Sequence, residues 1–110
     1  MTELTYHPAV AAAELGEGEM IPVTIGARTI ALYCVERRYY ATDAYCTHGH
    51  ALLTDGYVEG ALVECPMHGG TFEIATGKAV GEPCVSALAT YPVKVAGGFI
   101  AIGIAAPPST

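Results

Sequence analysis

Two short motifs hold the residues best suited to chemistry: Cys46-Thr47-His48 and Cys65-Pro66-Met67-His68, with 16 residues between His48 and Cys65. Thiolate sulfur and neutral imidazole nitrogen are soft and borderline ligands, and four of them set tetrahedrally suit zinc or an iron–sulfur centre. Each motif runs into glycine, as CTHGH and CPMHGG. The backbone at Gly49, Gly69 and Gly70 can therefore turn tightly and bring N–H groups close to bound sulfur. The stretch GYVEGALVEC between the motifs reads as two strands about a Glu59-Gly60 turn, so the chain goes out and back and the second motif returns beside the first. Elsewhere nothing pairs a nucleophile with a base, and a saturated metal site binds no substrate. The chain is expected to be no enzyme.

The elements that must position these motifs read as strands. EMIPVTIG and RTIALYCVE are β-rich runs parted by Gly26 and Ala27, RYYATD follows a polar Glu36-Arg37-Arg38 turn, and TYPVKV and FIAIGI flank Gly97-Gly98, a strong hairpin signal. Helical periodicity is nearly absent, and the alanines between Pro8 and Leu15 predict one or two turns of helix. Six to nine closely spaced strands argue for an all-β sandwich or barrel. Ala105 to Thr110, with Pro107-Pro108, reads as a loose tail.

With 110 residues the chain is expected to form a single domain, 1–110, and its 52% of hydrophobic residues is ample for a core. A formal charge of −6 repels phosphate backbones and anionic membranes, which speaks against nucleic acid as a partner. Glu3 stands where a secretion signal would carry a cation, and Phe99 to Ala106 is far too short to cross a bilayer. A cytoplasmic protein with no membrane association is expected. Cys34, within ALYCV, reads as a core thiol and Cys84 as a loop residue, with no disulfide between them. His50 and Lys78 read as solvated loop residues, and His7 as a surface residue. Tyr33, Tyr39, Tyr40, Tyr45, Tyr57 and Tyr91 read as half-buried packing residues rather than an electron path.

The set Cys46, His48, Cys65 and His68 resembles that of the Rieske [2Fe–2S] proteins, in which two Cys hold one iron and two His the other. A zinc finger groups its cysteines and its histidines separately, whereas here each loop supplies one of each. The likeness runs from EMIPV through YATDAYC to TFEIATGKAV and YPVKV, and it is nearest to the small ferredoxins of aromatic-ring-hydroxylating dioxygenase systems. It implies a Rieske fold: an antiparallel β-sandwich base with a small cluster-binding subdomain over roughly residues 43–84. The family's proline loop over the cluster corresponds to GEPC, with Pro83 at the matching place.

The resemblance further implies one [2Fe–2S] cluster bound by Cys46, His48, Cys65 and His68, with the two imidazoles facing solvent as the electron port. High-potential Rieske proteins of cytochrome bc complexes carry an extra Cys in each loop, where this chain has Ala51 and Met67. They also carry a Ser and a Tyr that donate to the cluster and its Cys ligand, where this chain has Gly70 and Phe72. Without those donors the potential is expected at the low end of the Rieske range, about −150 mV. The implied role is that of a monomeric electron carrier. It would meet two transient partners, an NAD(P)H-dependent flavoprotein ferredoxin reductase and a terminal Rieske oxygenase. A Rieske small subunit of another oxidoreductase such as nitrite reductase, and a structural zinc module, are the competing expectations.

Overall fold

The computed structural model describes residues 4–46, 51–67, 69–81 and 86–105. Its strands are β1 (Leu4–Ala11), β2 (Met20–Ile25), β3 (Arg28–Val35), β4 (Arg38–Asp43), β5 (Tyr57–Glu59), β6 (Leu62–Glu64), β7 (Thr71–Glu73), β8 (Ala79–Gly81), β9 (Thr90–Tyr91), β10 (Val93–Ala96) and β11 (Phe99–Ala105). They form three antiparallel sheets, in the orders β1-β11-β10, β2-β3-β4-β9 and β5-β6-β7-β8. The all-β expectation holds, with more strands than the six to nine foreseen because several are only two or three residues long.

β3 explains the layering. All six residues from Ile30 to Val35 are buried, and successive side chains point to opposite faces of the sheet. Ile30, Leu32 and Cys34 pack with Leu15, Ala41, Ile100 and Ile102, which joins the first two sheets into a sandwich. Ala31, Tyr33 and Val35 pack on the other side with Cys46, Leu53, Val63, Cys65, Phe72 and Ile74, which seats the third sheet on the base. Each fully buried Leu or Ile contributes roughly 1.5–3 kcal/mol, so this one strand anchors both layers. Cys34 is thus a core thiol, as expected, and burial pushes it up, with the Glu17 and Glu19 carboxylates adding to the effect.

The helix expected from Pro8 to Leu15 is a strand over its first half, up to Ala11. Pro8 and Ala11 pair with Ala101 and Phe99 of β11, and only Ala12–Glu14 form a single 3-10 turn. Pairing with β11, interrupted only by an irregularity between Pro8 and Val10, outweighs the small helix propensity of a few alanines. Pro8 is tolerated because β1 is an edge strand, where a missing N–H costs little.

The Gly97-Gly98 hairpin forms as expected, both residues having positive φ. The β5–β6 turn falls on Gly60 and Ala61, one residue later than expected. The β3–β4 turn is less ordinary, since Glu36 and Arg37 have φ of 52° and 64° with no glycine to relieve the strain. The Glu17 carboxylate accepts the N–H groups of Glu36 at 2.6 Å and Arg37 at 2.8 Å. Those bonds, the Arg37 N–H foremost, hold the Glu17 carboxyl below its ordinary value.

Tyr33 is fully buried, with its hydroxyl 2.8 Å from Thr42 Oγ1. Burial pushes its phenol up to about 12, the Thr42 hydrogen bond opposing this in part. The unfolded chain therefore releases this proton near pH 10 and the folded chain near pH 12, so stability is intact below pH 10 and falls between those values. Urea unfolding across this window should show the wild type losing roughly 2–3 kcal/mol more than Tyr33→Phe. Parallel curves for the two proteins would refute the assignment.

Candidate metal centre

The two motifs occupy loops that close in the same way. Cys46 follows Tyr45, whose bridge to Leu52 pinches the first loop, and the Cys46 N–H donates to the Ala51 carbonyl at 2.9 Å. The Cys65 N–H donates to the Gly70 carbonyl at 2.7 Å. In each case the cysteine amide reaches the carbonyl five positions on, so both thiols leave their loops from an equivalent place. Asp43, just before the first loop, is tied down by Tyr91, which donates to Asp43 Oδ1 and accepts from Arg28 at 3.0 Å.

Cys46 and Cys65 are brought together. Both are buried, at 4% and 2% exposure, in the core that joins the third sheet to the base, and their thiols are hydrogen-bonded to one another. Burial pushes the Cys65 thiol up, the Met67 N–H donating to it opposes this, and Cys46 adds to the rise. Burial and the neighbouring Cys46 disfavour the Cys65 thiolate, a cost that a bound cation would offset. The donor chemistry therefore fits a metal held by a thiolate pair.

His48, His50, His68, Pro83 and Cys84 lie outside the described residues. Gly70 is buried, and Phe72 is wholly buried in the core that holds the two cysteines, so neither place offers a hydroxyl to the site. Tyr45 and Met67, at 49% and 56% exposure, present apolar surface beside the loops. The reading of the tyrosines as half-buried holds for Tyr39, Tyr40 and Tyr91, whereas Tyr33 is fully buried and Tyr45 and Tyr57 are exposed. Lys78 is exposed, as expected of a turn residue, and His7 is partly buried within β1.

One positioning residue escaped the sequence reading. Gly56 ends the 3-10 turn Leu53–Asp55, and a Cβ there would overlap the Glu64 carbonyl oxygen next to Cys65. Only a long-range contact creates that demand, so no local pattern could signal it.

Residues 5–92 match the profile of the Rieske [2Fe–2S] domain. The chain belongs to the Rieske family. A Rieske-type iron–sulfur cluster is therefore the cofactor that the family implies. The Rieske chain is 44% identical to the ferredoxin component of the naphthalene 1,2-dioxygenase system of Pseudomonas aeruginosa, over 94% of this chain and 99% of that one. Among solved structures, the ferredoxin of Sphingomonas yanoikuyae B1 superposes with a TM-score of 0.85 at 40% identity, covering 89% of this chain and 97% of that one. A chain from the complex of reduced oxygenase and oxidized ferredoxin in carbazole 1,9a-dioxygenase gives a TM-score of 0.85 at 36% identity, covering 88% of this chain and 91% of that one. Ferredoxin components are the electron-transfer parts of such systems and not their catalysts. No helix among the described residues of this Rieske protein is long and apolar enough to cross a membrane.

Gly56→Ala should push the Glu64 carbonyl outward and Cys65 with it. The expected cost is about 3 kcal/mol of stability, with a fall in bound iron per chain. Thermal unfolding and iron analysis test this, and an alanine variant with wild-type iron content and melting temperature would contradict it.

Proposed function

We propose that this Rieske protein carries single electrons from an NAD(P)H-dependent flavoprotein ferredoxin reductase to the terminal oxygenase of an aromatic-ring dioxygenase system. The observation that supports it best is the pair of equivalently closed loops, with the Cys46 and Cys65 thiols in contact, in a chain 44% identical to a ferredoxin component over almost its whole length. In this reading one [2Fe–2S] cluster is held by Cys46 and Cys65 on one iron and by His48 and His68 on the other. The cluster-binding unit spans roughly residues 43–84. The cluster, when bound, accepts and releases one electron at a time.

The chain's own residues set the terms of that exchange. The Cys46 and Cys65 sulfurs are kept dry by Leu53, Val63 and Phe72, while the Met67 N–H donates to the Cys65 sulfur and disperses its negative charge. Gly70 and Phe72 add no hydroxyl donor, which leaves the reduced state less stabilised and the potential low, at about −150 mV. Such a potential suits electrons that originate from a nicotinamide-fed flavin, and it is poorly placed to oxidise quinol. The protein works as a cytoplasmic monomer and meets each partner transiently, since a carrier must leave one before reaching the other.

Purified protein should be brown and should give the low-average-g Rieske resonance after dithionite, and Cys46→Ser or Cys65→Ser should abolish both. Reconstitution with a reductase and an oxygenase of a naphthalene-type system should support turnover that stops when this protein is omitted. Colourless protein containing zinc would overturn the reading. Copurification at fixed stoichiometry with a nitrite reductase would replace the dioxygenase system with that one.

A further inference from the structure

The register of the third sheet assigns every side chain on β5, β6 and β7 to one of two faces. Val58 pairs with Val63 and Val63 with Phe72, and this row packs into the core. The alternate rows are Tyr57, Glu64 and Thr71, and Glu59, Leu62 and Glu73, so these six share the outer face. Directly paired side chains on such a face stand about 5 Å apart.

That outer face is apolar and acidic at once. Tyr57 is 66% exposed and Leu62 36%. Around them stand the carboxylates of Glu59, Glu64 and Glu73. None of the four strands contributes a Lys or Arg, and the nearest in sequence, Lys78, belongs to the turn before β8. Three carboxylates on one sheet face give it a negative potential without a partner charge on these strands, and large apolar side chains left in water gain nothing from it. Both become favourable against a surface of opposite charge with an apolar centre.

The patch also borders the metal centre. Glu64 points outward and the next residue, Cys65, points inward; Thr71 directly follows Gly70, whose carbonyl closes the Cys65 loop. We propose that the outer face of the third sheet is a docking surface for an electron-transfer protein that sets Lys and Arg around an apolar contact. The proposal rests on the carrier role above and adds the place and chemistry of the encounter.

A basic cytochrome c, used as electron acceptor in stopped-flow mixing with the dithionite-reduced protein, tests it. At low ionic strength Glu59→Gln/Glu64→Gln should slow the second-order rate about fivefold, the size expected for losing local steering. Glu14→Gln/Glu36→Gln removes the same charge from exposed sites on the base and should slow it less than twofold. Tyr57→Ser should slow the rate at every salt concentration, because its contribution is contact rather than charge. Unchanged visible spectra and midpoint potentials keep the driving force equal among variants. Equal slowing by the two glutamate pairs, or a Tyr57→Ser rate equal to wild type, overturns the docking face while leaving the carrier role intact. A wild type that takes up no electron from dithionite overturns the carrier role and this proposal with it.

Discussion

Burial of β3 on both faces is the constraint from which the rest of the molecule is built. A strand with one wet face can slip or twist with modest loss, but here a shift of one residue would exchange Ile30, Leu32 and Cys34 for Ala31, Tyr33 and Val35 in two differently shaped cores. The register with β2 and β4 is therefore held from both sides. The tight β3–β4 turn follows from it, since β4 must return in register at once, and the chain accepts two left-handed residues there with Glu17 bonded to their amides.

The metal centre inherits this rigidity. Its cysteines are members of the same core that fixes the third sheet on β3, and their positions are set by backbone closure rather than by side-chain reach. Burial acts on these sulfurs in two ways. It shields the two sulfurs from solvent, and it pushes the Cys65 thiol up, a cost that a bound cation would offset.

Much of the fold was legible because its signals are local. RYYATD coincides with β4, and two adjacent glycines at 97 and 98 supply the positive φ that a two-residue hairpin needs. The misread stretch, Pro8 to Leu15, shows the limit of local reasoning: alanine favours helix weakly, and β11 offered strand partners up to Ala11. Glu17 was equally unreadable, because a glutamate in a Gly-rich turn looks solvated until the β3–β4 turn, far along the chain, is placed beside it.

The sequence by itself determined the family, because residue types and spacings encode donor softness and loop length, and these survive any uncertainty about the path between them. It also determined that the chain is all-β. Only the tertiary structure decided which thiols meet, which tyrosines are dry, and that three glutamates and two apolar side chains share one outer face. Those are questions of register and long-range approach. A pairing slip of one residue would bury the glutamates and expose the valines without altering a letter of the sequence.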